Sequence, residues 1–76
     1  MEWISVKDRL PEKFQDVAFI VECKLDKTYN GRRMGGRYMG LMFPDRDFAY
    51  HAFSVPGIEF KASHWMPLPE PPKANI

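Results

Sequence analysis

The chain is short of the residues that usually announce chemistry. One cysteine, Cys23, in seventy-six residues excludes an internal disulfide, which fits a reducing compartment. Two histidines, His51 and His64, complete the set of soft or imidazole ligands, and no two of the three stand at the close spacing of a structural zinc site. Charge of one sign is also missing. The formal net charge is +1, whereas a dedicated nucleic-acid binder carries a large basic excess. No apolar run approaches the ~20 residues of a membrane span, and no basic-then-apolar leader opens the chain. The protein is therefore expected to be soluble and cytoplasmic, with no metal and no cofactor.

Proline, glycine and aromatic residues are plentiful. Seven prolines, five glycines and eleven aromatics punctuate the chain too often for long helices. The expected fold is mainly β. A chain of this size buries only about 60–65% of the surface its unfolded form exposes, enough for one domain, residues 1–76, with one small core.

The clearest period lies in Val17 to Asp26. Val17, Phe19, Val21, Cys23 and Leu25 fall on one face, and Ala18, Ile20, Glu22, Lys24 and Asp26 on the other, as in a strand. Asn30-Gly31 follows, a hairpin signal because a type I′ turn needs positive φ at both positions. The return strand, about Arg33 to Phe43, is interrupted by Gly35, Gly36 and Gly40, which inside a strand mark a bulge, a bend or a close approach. Pro44 to Asp47 is a loop, Phe48 to Val55 a third strand, and Val55-Pro56-Gly57-Ile58 a type II turn with Gly57 at positive φ. Ile58, Phe60 and Ala62 then alternate with Glu59, Lys61 and Ser63 in a fourth strand. Short turns pair successive strands, so the architecture predicted is a four-stranded antiparallel meander. Residues 11–16 are a candidate for one helical turn with Pro11 at its first position, which would make the fold α+β.

The two ends are distinctive. Trp3-Ile4-Ser5-Val6 is a brief edge strand, and Ser63-His64-Trp65-Met66 runs into Pro67, Pro69, Pro71 and Pro72, a run expected to adopt polyproline II. The ends are expected to pack together over the meander, leaving 73–76 as a frayed tail. Trp3-Ile4-Ser5-Val6-Lys7-Asp8-Arg9-Leu10-Pro11-Glu12 and His64-Trp65-Met66-Pro67-Leu68-Pro69-Glu70-Pro71-Pro72 resemble the terminal signatures of DUF551, a family of small domains of unknown function found in tailed phages and bacterial prophages. Lys13-Phe14 departs from the resemblance, which leads one to expect a turn containing Gly or Asp. The resemblance implies a phage or prophage accessory protein and carries no catalytic residues.

Two surfaces are candidates for binding. Residues 24–37 hold Lys24, Lys27, Arg32, Arg33 and Arg37 against Asp26 alone, a local net of +4. Tyr29 and Tyr38 sit among these cations and suit either an acidic protein patch or a nucleic acid, with stacking on the tyrosines and phosphates on the arginines. A solvated hairpin tip protected from aggregation explains the same charges. The second surface is apolar: Trp3, Trp65 and Met66 would either cover the chain's own tail or seal a homodimer. Pro69-x-x-Pro72 has the form of a polyproline ligand, but a tail folded back on its own aromatics accounts for it.

Catalysis finds no constellation. Cys23 on an inward strand face is an inert thiol, Asp45 and Asp47 flank Arg46 in a turn, and Gly35 to Gly40 lacks the context of a nucleotide loop. The chain is expected to be non-enzymatic and to bind a macromolecule, a host or phage protein first and a nucleic acid through the basic hairpin as the alternative.

Overall fold

A computed structural model describes residues 2–69. The described residues form six strands in one antiparallel sheet: β1 (Ile4–Ser5), β2 (Asp16–Val21), β3 (Arg33–Met42), β4 (Tyr50–Val55), β5 (Ile58–Phe60) and β6 (Ala62–Pro67), in the order β1-β6-β2-β3-β4-β5. The meander expected from the sequence is present as β2 to β5. Its fourth strand, however, is two, because the chain bends at Lys61 and changes partner. Before the bend, Val55 pairs with Ile58 and Phe53 with Phe60; after it, Ala62 to Pro67 pair with β2. The Lys61 carbonyl accepts the Glu22 amide at 2.9 Å, stitching the corner to β2. One bent segment thus joins both ends of the meander and rolls the sheet into a ring of paired strands, a shape antiparallel sheets adopt by bending a strand at a corner.

Alternation builds the core. Val17, Phe19 and Val21 are buried, with Tyr38, Ala52, Phe53, Ala62 and Trp65 from the other strands. Phe19 meets Phe53 at 5.1 Å between ring centroids, and Phe53 meets Tyr38 at the same distance, within the range of favourable tilted aromatic pairs. Gly36 is where two backbones approach: a Cβ there would run into the Ser54 carbonyl oxygen and lie 3.1 Å from the Phe19 ring. Gly40, at φ +100°, sits in a bulge where the β3–β4 register slips by one residue after Tyr38. Both are roles expected of strand glycines.

The chain's two ends pair as expected. Ile4 faces Trp65 and Ser5 faces His64 across β1 and β6. The Trp65 indole Nε1 donates to the Arg9 carbonyl at 2.8 Å, and the Arg9 guanidinium lies 5.7 Å from the ring centroid.

Four local expectations need correction. Residues 11–16 form no helical turn. The Gln15 amide donates to the Glu12 carbonyl with Phe14 at φ +69°, the pattern of a type II turn. Phe14 then donates to the Tyr38 carbonyl while Tyr38 donates to Gln15, so two residues oppose one in a G1-type bulge. Asn30-Gly31 is no type I′ turn either: Gly31 alone has positive φ, +84°. Its amide donates to the Val21 carbonyl and Val21 donates to Arg32, a second bulge of the same kind. Between Val21 and Gly31 a long loop replaces the expected strand extension. Asp26 accepts the Thr28 amide on Oδ1 at 2.9 Å, and Asn30 Oδ1 accepts the Cys23 amide at 3.0 Å. These side chains satisfy the loop backbone, so the ladder stops at Val21 and Leu25 points away from the core, 99% exposed. The strand beginning at Phe48 starts instead at Tyr50. Pro71, Pro72, the Pro69-x-x-Pro72 pattern as a whole and the tail 73–76 lie outside the described residues.

Candidate functional site

The basic loop comes apart as a single site. Arg33 and Arg37 occupy exposed positions of β3. Arg37 Nε is 3.1 Å from Asp16 Oδ1 in the neighbouring strand, a solvent-facing ion pair of small energetic weight. Arg32 lies over the Tyr29 ring at 5.5 Å, and Tyr29 packs on Phe60, also at 5.5 Å. Tyr38 is buried, 5% exposed, with its hydroxyl 2.8 Å from His51 Nδ1. Burial raises its pKa. Tyr38 is therefore a core residue and presents no face for a base. Trp65 is likewise core at 3% exposed, because β1 and the Arg9 carbonyl close over it; it drops out of the apolar surface proposed with Trp3 and Met66, both of which are half-buried.

A different surface is assembled from parts far apart in sequence. Eleven aromatics exceed what so small a core can hold, and Phe14, Phe43 and Phe48 remain outside it, more than half exposed. Two of them bracket the β3–β4 loop. Phe43 turns the chain at φ +55°, its carbonyl accepts the Arg46 amide at 3.0 Å, and its ring lies 5.2 Å from Phe48 and 6.4 Å from Tyr50. Tyr50 in turn lines a cleft of about 430 Å³ between the β2–β3 loop and the β4–β5 edge, a size typical of binding clefts. Cys23, Leu25 and Phe60 supply the rest of its apolar wall. Lys24, Lys61, Glu22 and Glu59 supply its charge. Burial raises the Tyr50 pKa, and the adjacent Glu59 carboxylate adds to the rise by its charge and by hydrogen bonding.

The result is a cluster of Phe43, Phe48 and Tyr50 that adjoins, through Tyr50, a cleft whose lining includes Leu25. Among the described residues no cluster of three or more His, Cys, Asp or Glu could hold a metal ion, and the cleft wall contains one thiol and no imidazole. No helix among them is long and apolar enough to cross a membrane.

A family model described as "Protein of unknown function (DUF551)" matches residues 2–73. The chain belongs to the DUF551 family. The terminal strings that carry the resemblance include β1 and the His64–Pro67 part of β6, so in this DUF551 chain the described part of the signature is a structural seam: Ile4 against Trp65, with Trp65 held by Arg9. No curated protein and no solved structure matches the chain.

The sequence pointed to cations and to the terminal tryptophans and missed Leu25, Phe43, Phe48, Tyr50 and Phe60. A signal was present: Phe43 and Phe48 flank Pro44 to Asp47, so two large apolar side chains stand at a hairpin tip where polar residues are the rule.

Proposed function

We propose that this DUF551 protein is a non-enzymatic accessory module that binds a protein partner, in the cytoplasm of a bacterium carrying a phage or prophage. The observation that supports this most is the exposed pair Phe43 and Phe48, packed beside the half-buried Tyr50. Aromatic clusters left in solvent at no benefit to the core are the anchors protein interfaces use, and contiguous apolar surface on a small domain marks an interaction site. The phage setting rests on the family resemblance.

The test is a pull-down from bacterial lysate, with nuclease, comparing the wild type with a Phe43→Ser/Phe48→Ser variant. A stoichiometric protein held by the wild type and lost by the variant supports the reading. Retention by both, or capture by neither, removes it.

A second reading is favoured by the exposed cations Lys24, Lys27, Arg32 and Arg33, which would grip phosphates as a weak nucleic-acid binder. Its mark is an affinity that falls steeply with salt as each neutralised phosphate releases counterions. With Tyr38 buried and Arg37 paired to Asp16, fewer groups serve this reading than the sequence promised.

A further inference from the structure

We infer that the far end of β3 is an edge for self-association, where two copies of this chain pair antiparallel about a two-fold axis at Leu41. The inference goes beyond the protein-binding reading and does not depend on it.

Unpaired backbone is the first support. On the β2 side the ladder of β3 ends at Tyr38, which exchanges bonds with Gln15 and Phe14. Residues 39–42 continue the strand with β4 alone as their paired neighbour among the described residues. The two-residue turn at Pro56-Gly57 makes Val55 and Ile58 a hydrogen-bonded pair. By alternation along β4, Phe53 and His51 then direct their backbone groups to the β5 side, and Ala52 and Tyr50 direct theirs to β3. Gly40 and Met42 face Ala52 and Tyr50, and Leu41 faces His51. Leu41 therefore turns its N–H and C=O away from β4, into the gap that β2 leaves. Such an edge is completed by another strand. Tyr38 to Phe43 contain no charged residue, so the strand itself lacks the guard that bare edges usually carry.

Two-fold symmetry is the second support, and it selects a second copy as the occupant. Phe14 stands at one end of the bare stretch, bonded to Tyr38, and Phe43 stands at the other. Both rings are more than half exposed. With Leu41 opposite Leu41 of the second copy, Phe43 of each copy falls opposite Met39 of the other and abuts its Phe14. The chain turns away at Phe43, at φ +55°, before it reaches the edge that Phe14 already occupies. The contact between the two rings is thus made twice, as an isologous interface requires. Charge agrees with this register. Lys13 lies along Gly40, and pairing carries it towards loop 44–47 of the second copy, where Asp45 and Asp47 outnumber Arg46. The outer strands of the sheet offer no such edge. β1 has two residues, and an axis at the centre of β5 would set Glu59 against Glu59, like charges directly opposite.

The experiment is sedimentation equilibrium of the purified chain from about 10 μM to 1 mM, the range of a modest affinity. The mass of two chains is expected at the upper end. Leu41→Lys and Leu41→Glu each set like charges directly across the axis, and each should weaken association by roughly tenfold or more. An equimolar mixture of the two variants should recover the dimer as a one-to-one pair. Leu41 is about half exposed, and a circular dichroism melt of each variant verifies folding. Amide exchange of the wild type needs no variant: the Leu41 N–H should be protected at high concentration and exchange freely on dilution. Four results would each overturn the inference. These are a single-chain mass throughout, a dimer indifferent to Leu41→Lys, a mixture of folded variants that stays monomeric, and a Leu41 amide whose exchange ignores concentration. A monomeric wild type that captures a lysate protein, lost in Phe43→Ser/Phe48→Ser, would remove this inference and leave the protein-binding reading standing. A dimer that captures nothing from lysate would do the reverse.

Discussion

Phe14 and Gly31 hold the same place in two copies of one device. Each is the positive-φ residue of a turn that feeds a G1-type bulge, one at either end of the β2–β3 ladder. Glycine accepts that conformation freely, whereas a side chain costs ~1–2 kcal/mol. The family resemblance leads one to expect Gly or Asp in this turn, and Phe14 stands there with its ring half in solvent near the Lys13 ammonium. Phe14→Gly should therefore stabilise by roughly 0.5–1 kcal/mol after the extra flexibility of the unfolded chain is allowed for. That corresponds to several degrees in Tm for a domain of this size. Phe14→Ala keeps the strain and loses the ring, so it should melt below Phe14→Gly. Equal melting points would mean that the turn is unstrained. The tyrosines give a second handle at this scale. Burial raises the pKa of Tyr38, and burial followed by Glu59 raises that of Tyr50. In the unfolded chain both lose their protons near the ordinary value of ~10, while the folded protein still holds them. Above that pH the native state binds more protons than the unfolded one, so stability falls as pH rises; below it the contribution is fully present. Thermal melts from pH 8 to 11 should decline beyond about pH 10, and the decline should be shallower in Tyr38→Phe. A flat profile would remove the buried hydroxyl as its cause.

Within the elements, β3 offers a matched pair of glycines. A Cβ at Gly36 collides with the Ser54 backbone, which cannot yield without parting β3 from β4, whereas a Cβ at Gly35 meets only the end of Leu68 at 3.9 Å. Gly36→Ala should cost on the order of 2–3 kcal/mol, as overpacking does, and Gly35→Ala should lie within about 0.5 kcal/mol of wild type, as surface changes do. Urea denaturation of the two variants decides it; similar midpoints would contradict the close approach at Gly36. These strands also show how far the sequence could be read. The alternation of Val17, Phe19 and Val21, the Pro56-Gly57 turn with Gly57 at φ +87° and the pairing of the two Trp segments all follow from local pattern, and all are present. Leu25 was misplaced because alternation says nothing about where a ladder ends. That end is set by side-chain to backbone bonds of Asp26 and Asn30, which compete with strand pairing. The split of the fourth strand at Lys61 was illegible for a different reason: it arises from sheet closure, a property of all the strands together. The cleft was hidden for the same reason, since its wall is drawn from the β2–β3 loop, β4 and the β5–β6 corner.

At the scale of the whole molecule, closure joins the ends of the chain to its middle. β6 finishes the ring by pairing with β2, and β1 seals β6 by pairing across nearly the whole sequence. Contacts so distant along the chain must be made before the burial of Trp65 can stabilise anything, and loop closure of this kind slows folding into the millisecond-to-second range. A core of few buried side chains also leaves little to hold the β2–β5 meander together without its seal, because isolated meanders of short strands are marginal in water. The ring and the seal should therefore form in one cooperative step. A Trp3→Phe variant leaves Trp65 as the only indole, and its emission reports the closure of β1 and β6, while far-ultraviolet circular dichroism reports the sheet as a whole. In stopped-flow refolding the two signals should follow one exponential with the same rate constant, within milliseconds to seconds. A dichroism change that precedes the Trp65 signal would mean that the meander stands alone first. The terminal seam that carries the family signature would then be an addition to a finished fold rather than the step that completes it.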